Sequence, residues 1–214
     1  MDCGCLMLRL LVGNPNPMFE NLKGYQLILA SNSPRRKELL MGLGLDFTVQ
    51  VLHDADESFP SNLPTDLVAE FIALQKADGC KPHLKTTDLI VTADTVVCVG
   101  NRILGKPKDR QDAIEMLALL SGKSHWVYTG VSLLTQRHQE SFTSRTEVFF
   151  STLSLSEMEH YVDTYKPYDK AGAYGVQEWI GYVGVERIEG SYYNVMGLPI
   201  HQLYLALRNF PALL

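Results

Sequence analysis

The run Tyr25-Gln26-Leu27-Ile28-Leu29-Ala30 is short, almost continuously apolar and preceded by an Asn/Pro-rich breaker, so it predicts a buried strand at 26–30. From there the apolar positions switch repeatedly between the two secondary-structure periods. They predict a helix over about 34–43, a strand near 46–51, a helix over about 65–78 and a continuous buried strand over 89–99. Asp109 is placed to cap a helix whose apolar face is Ala113, Met116, Leu117 and Leu120, with Ser121-Gly122 as its stop. The segments 125–135 and 140–150 read as a hairpin around Gln136 to Gln139. Ser154 with Glu157, or Ser156 with Glu159, offers a capping box for a helix that must end before Pro167. A second hairpin is expected over about 182–188 and 191–196, turning at Glu189-Gly190, and a last helix from about Pro199 to Asn209. Strand–helix alternation supplies parallel strands and hairpins supply antiparallel ones, so the expected class is α/β with a mixed sheet flanked by helices.

Composition narrows this only modestly. With 214 residues, 46% of them hydrophobic and 20% charged, the chain can bury a substantial core, which excludes disordered and fibrous classes. Residues 25–214 are read as a single domain with two lobes. The first 24 residues lack a clear period and are read as an extension, disordered or upstream of a natural start at Met18. The net charge of -5 opposes a general nucleic-acid binder, whereas a small anionic ligand needs only a basic pocket. Cys3, Cys5, Cys80 and Cys98 form no CxxC pair and read as thiols in a reducing compartment. The run Cys5 to Val12 is short, contains Arg9 and lacks a small-residue cleavage site, so neither a signal peptide nor a membrane span is expected, and a cytoplasmic location is.

Several segments carry candidate chemistry. In Ala30-Ser31-Asn32-Ser33-Pro34-Arg35-Arg36 a strand runs into a helix capped by Ser33, with Pro34 at its first position. Arg35 and Arg36 then stand in a first turn whose dipole disfavours cations, which suits either a bound anion or a solvated basic turn. Asp94 is a lone carboxylate inside an apolar strand and needs a metal, a cation or a place facing a cleft, a structural ion pair being the plainer alternative. Lys106, after the Gly100-Asn101 turn, returns toward Asp94, and Lys76 stands on the helix carrying Leu67, Phe71, Ile72 and Leu74. Both are phosphate contacts or ordinary surface lysines. Asp169 to Gln177 holds two glycines and two alanines, a composition that suits either close approach of a ligand, with Tyr174 and Gln177 serving a base by stacking or amide hydrogen bonds, or a plain Gly-containing loop. Asp54, Asp56 and Glu57 form an acidic cluster able to share a metal with Asp94, or a solvated loop.

Together, Ser31-Asn32-Ser33-Pro34-Arg35-Arg36, Thr92-Ala93-Asp94-Thr95, Leu104-Gly105-Lys106-Pro107, Leu120-Ser121-Gly122 through His125 with Thr129-Gly130-Val131, and Asp169 to Gln177 resemble the Maf family in order and spacing. The resemblance covers about residues 25–208 and departs at the N-terminal extension and in the spacing before Asp56-Glu57. It implies an elongated Maf/ITPase-like α/β fold with a cleft between two lobes, and a homodimer. It also implies a nucleoside triphosphate pyrophosphatase that cuts dTTP or UTP into monophosphate and pyrophosphate with a divalent cation, Mg²⁺ or Mn²⁺. On this resemblance Asp94 is the proton acceptor and, with Glu57, a metal ligand. Arg35, Thr95 and Gln177 set substrate choice, and Ser33, Arg36, Lys76 and Lys106 complete the pocket. Purine ITPase-like cleavage, a nucleotide-binding regulator of cell division and a structural module with a relic pocket are the alternatives.

Overall fold

The computed structural model describes residues 8–10, 17–50 and 57–213. Its centre is an eight-stranded mixed sheet built from β1 (Leu8–Leu10), β2 (Gln26–Ala30), β3 (Phe47–Gln50), β4 (Asp88–Val99), β5 (Arg102–Leu104), β6 (Ser124–Leu134), β7 (Gln139–Phe150) and β8 (Val185–Glu189). The strand order is β1-β3-β2-β4-β6-β7-β8, and β5 pairs with β4 off that path. β2 runs parallel to β3 and β4, and every other pairing is antiparallel.

One edge of β4 makes the opening for the site. Its first half pairs with β2 as far as Val91, and its last three residues pair with β5 from Val97 onward. Between those ladders the edge is open, and Asp94 lies in the gap. Two of the buried clusters around the sheet are large. One gathers Leu29, Leu40, Phe47, Leu89 and Val131 with Leu203 and Leu207. The other gathers Val97, Leu117, Leu120, Val148, Tyr161, Tyr174 and Ile180.

Among the described residues seven α-helices clothe the sheet: α1 (Pro34–Met41), α2 (Thr65–Cys80), α3 (Arg110–Leu120), α4 (Leu155–Tyr165), α5 (Trp179–Gly184), α6 (Tyr192–Met196) and α7 (Ile200–Asn209). The local signals are realised in the caps. Asp109 accepts from Asp112 N, and Ser154 with Glu157 forms the capping box. Residues Pro17–Leu22, left in the extension by the sequence reading, form a 3-10 turn that buries Phe19 and Leu22 and is tied to α7 by Asn21 Nδ2 donating to Leu207 O at 2.8 Å.

The expected second hairpin is not formed. Residues 179–184 are helical, β8 pairs with β7, and 192–196 form α6. Ser191 caps α6, and the buried Asn194 donates to Val127 O at 3.1 Å and to Thr146 Oγ1 at 2.9 Å, bonds that a returning strand could not make. Of the four cysteines, Cys80 and Cys98 are buried free thiols, pushed up to about 11 by burial, and Cys3 and Cys5 lie outside the described residues. Among the described residues no helix is long and apolar enough to cross a membrane.

Candidate active site

The gap in the sheet opens into a cleft of about 520 Å³, within the range of small-ligand sites. Ser33, Arg35, Arg36, Glu57, Lys76, Asp94, Thr95, Lys106 and Gln177 all line it. Asp54 and Asp56 lie outside the described residues.

Three elements meet at its floor. The first is the N-terminus of α1, where Ser33 accepts from Arg36 N and Pro34 occupies the first turn. Helix N–H groups there face the end of β2, the arrangement that attracts anions. Arg36 does not project freely. Nε donates to Gly197 O at 2.8 Å, Nη2 to Thr95 Oγ1 at 3.0 Å and Nη1 to Ser31 Oγ at 3.5 Å. Desolvation lowers its guanidinium from the ordinary value, with Asp94 opposing that shift and Arg35 adding to it. Thr95 also lies 3.0 Å from Thr129 Oγ1, whose hydroxyl donates to Asn194 O at 3.1 Å.

The second element is the middle of β4 with α2 behind it. Lys76, 9% exposed, reaches from α2 to donate to Asp94 Oδ1 at 2.7 Å and to Glu57 Oε1 at 2.8 Å. Lys106 lies 3.4 Å from the other Glu57 oxygen. Burial raises the Glu57 carboxyl, but the bond and charge of Lys76, then of Lys106, bring it below its ordinary value. The isolated carboxylate of the apolar strand is therefore paired with a buried ammonium, as the cost of an unpaired charge requires.

The third is the loop from Asp169 to Gln177. Gly172 and Ala173 both adopt left-handed backbone (φ 69° and 59°), and Gly172 packs against the Val97 side chain. Asp169 Oδ2 accepts from Arg35 Nη1 at 2.8 Å, joining the loop to α1 across the cleft. Burial raises the Asp169 carboxyl, and Lys170 and Arg35 outweigh it, holding the group down to about 2.

Tyr174 is not free to stack on a base. It is 5% exposed, edge-to-face with Phe150 and His125, and its hydroxyl is 2.8 Å from His125 Nε2. Burial pushes the Tyr174 hydroxyl up and brings His125 down to about 4. Gln177 keeps a buried Oε1 without a hydrogen-bond partner among the described residues. Gly197 escapes a motif search because its partner Arg36 is remote in sequence, and Lys170, Glu178 and Tyr161 because loop and α4 contacts that no residue spacing announces bring them together. A lysine between an aspartate and a Gly/Ala-rich stretch was the available signal.

An anion-facing helix terminus, clustered cations and a paired carboxylate at a strand gap define a site for a small phosphorylated ligand. The chain belongs to the Maf-like protein family, whose model matches residues 26–210. It is 54% identical over 191 residues to a dTTP/UTP pyrophosphatase of Bacteroides thetaiotaomicron, covering 89% of this chain and 99% of that one. A dTTP/UTP pyrophosphatase of Parabacteroides distasonis is 49% identical over 193 residues, covering 90% and 100%. Among solved structures, a dITP/XTP pyrophosphatase from Mycobacterium abscessus aligns over 86% of this chain and 95% of its own at a TM-score of 0.42 and 18% identity.

Proposed function

We propose that this protein is a nucleoside triphosphate pyrophosphatase acting on dTTP and UTP, clearing such nucleotides from the cellular pool. The observation that carries the reading is Asp94, set in the strand gap at the base of a cation-lined cleft and fixed there by Lys76 at 2.7 Å. The triphosphate lies along the α1 terminus, where Arg35, Lys76 and Lys106 take up its charge and the Ser33 cap turns N–H groups toward it. Asp94 orients a water molecule and accepts its proton as oxygen attacks the α-phosphorus. The bond from that phosphorus to the bridging oxygen breaks, and pyrophosphate leaves among the same cations. No covalent intermediate with the protein is needed.

Arg36, bonded to Gly197 O and Thr95, acts chiefly by fixing the α6 side of the cleft. Gln177 offers an amide to the base, and its unpartnered Oε1 supports a ligand donor at that point. A pyrimidine imide N–H is such a donor.

The donor set suits a divalent cation. Glu57 and Asp94 are brought to a common lysine, and one or two carboxylates with phosphate oxygens and water suffice for Mg²⁺ or Mn²⁺. Among the described residues no group of three or more His, Cys, Asp or Glu forms a metal cage, so the ion would be held jointly with substrate. When bound it supplies positive charge to the phosphates. The reading carries with it a homodimer, on the resemblance, and a cytoplasmic location, on the cysteine usage, acting on free nucleotides rather than nucleic acid, in keeping with the net charge of -5.

The test is incubation with a panel of nucleoside triphosphates and Mg²⁺, with chromatography of products and separate assays for pyrophosphate and phosphate. Pyrophosphate with dTMP or UMP is expected. Preference for ITP would point to purine cleavage, and dTTP binding without turnover to a regulator.

A further inference from the structure

Lys170 has no part in the chemistry described above, yet it is 8% exposed. Its ammonium donates to Asp169 Oδ1 at 2.8 Å and lies 3.1 Å from Glu178 Oε1. Each carboxylate uses its second oxygen elsewhere. Asp169 accepts from Arg35 on the opposite lobe at 2.8 Å. Glu178 accepts from the hydroxyl of Tyr161, a fully buried α4 residue, and that hydroxyl accepts from Gly175 N at 3.0 Å. Glu178 N closes the turn by donating to Gly175 O at 2.9 Å, with Gln177 between them.

The chain of contacts therefore runs from the core of one lobe through Glu178, Lys170 and Asp169 to Arg35 on the other. Two cations alternate with two carboxylates, which offsets the desolvation of the buried ammonium. Remove that ammonium and Asp169 and Glu178 face each other as like charges. Asp169, whose side chain is 56% exposed, then relaxes into water and releases Arg35. Glu178 draws away from Tyr161 and loosens the Gly175–Gln177 turn.

We propose that Lys170 is a positioning residue for nucleotide recognition: from between Asp169 and Glu178 it sets Arg35 on one wall of the cleft and Gln177 on the other. The proposal rests on the reading that Arg35 meets phosphate and Gln177 meets the base. Lys170 itself touches neither substrate nor the reacting atoms, so its loss weakens binding before it slows chemistry.

The test compares wild-type protein with Lys170→Met and Lys170→Arg. It measures dTTP binding by calorimetry in EDTA and steady-state hydrolysis with Mg²⁺. Lys170→Met should raise both Kd and KM for dTTP by about tenfold, the loss expected for a charge-assisted hydrogen bond, with kcat changed much less. Lys170→Arg should recover part of that loss. Unchanged Kd and KM in a folded Lys170→Met, or a fall in kcat alone, overturns the proposal. If Lys170→Met does not fold, Asp169→Asn severs the link to Arg35 at an exposed residue and must raise KM; a wild-type KM overturns the proposal equally. Wild-type protein that neither binds nor cleaves dTTP removes the underlying reading, and the proposal with it. Wild-type turnover with no effect in the variants removes the proposal alone.

Discussion

Gly130→Ala tests how the sheet places Lys76 against Asp94. Gly130 sits opposite Asp94 in the β4–β6 ladder, and α2 crosses the sheet directly over it. A Cβ at this position would lie 2.2 Å from Glu70 N, 2.3 Å from Glu70 Cα and 2.4 Å from Ala69 C. Since such atoms come into contact at about 3.5 Å, the helix has to retreat by about 1 Å. The obstruction is backbone, so no rotamer relieves it. Retreat loosens Val68, Ala69, Ile72, Ala73 and Ala77, all at most 3% exposed. Overpacking of this kind costs about 3 kcal/mol at the upper end of its usual range. For a chain of this size that lowers Tm by about 6–12 °C. Lys76 travels with the helix and stretches bonds of 2.7 Å to Asp94 and 2.8 Å to Glu57. Misplacement by about 1 Å at a reacting centre can reduce kcat/KM by about 100-fold. Urea and thermal unfolding read the first effect, and dTTP turnover by the folded variant reads the second. Stability and turnover both equal to wild type would refute the role assigned to this crossing.

Asp94→Asn keeps the shape of the site and removes its proton acceptor. Turnover should fall by about 100-fold or more while the Kd for dTTP moves only a few-fold, and wild-type turnover would exclude Asp94 from that role. Chelation with EDTA should abolish hydrolysis, and Mg²⁺ or Mn²⁺ should restore it; full activity in protein shown metal-free by elemental analysis would contradict the assignment of Glu57 and Asp94 as ligands. His125 is brought by burial from 6.5 down to about 4. Above the unfolded value both states are neutral and stability is flat. Below it the unfolded chain takes up the proton first, so stability falls between about pH 6.5 and 4, by about 3 kcal/mol in all. Urea unfolding across that window should show a shallower decline in His125→Phe, and equal declines would refute the assignment.

What was legible in the sequence was local or periodic. Ser33, Asp109 and Ser154 announce their helices because a cap bonds within three residues. β4, β6 and β7 are long enough for apolar pattern to define them. Of the hairpin expected over 182–188 and 191–196, the first strand forms as β8 but the second is the helix α6, because the signals there are ambiguous locally and settled at a distance. β8 takes β7 as partner, and Asn194 takes Val127 and Thr146. Gly181 allows α5 to close on the preceding loop, since a Cβ there would meet Val176 O at 1.8 Å. The same division holds in the site. Asp94 stood out as a charge in an apolar strand, whereas Lys170, Glu178 and Tyr161 acquire meaning only when loop and helix meet. Tyr174, next to flexible-looking residues, reads as a ligand contact until Phe150 and His125 close over it.

Electrostatic balance then links substrate to metal. Among the described residues the cleft is lined by five cations, Arg35, Arg36, Lys76, Lys106 and Lys170, and three carboxylates, Glu57, Asp94 and Asp169, a net of plus two. In this form the cations are already engaged, Arg35 by Asp169, Lys76 by Asp94 and Glu57, and Lys106 by Glu57. For Lys76 and Lys106 binding is therefore an exchange of ion pairs, whereas Arg35 keeps Asp169 on one nitrogen and meets phosphate with its remaining N–H groups. A fully ionised nucleoside triphosphate brings about four negative charges, two more than the side chains offset, and one divalent cation closes that difference. A monophosphate product carries about half that charge and leaves the side chains balanced without the ion, so substrate should depend on the metal more steeply than product does.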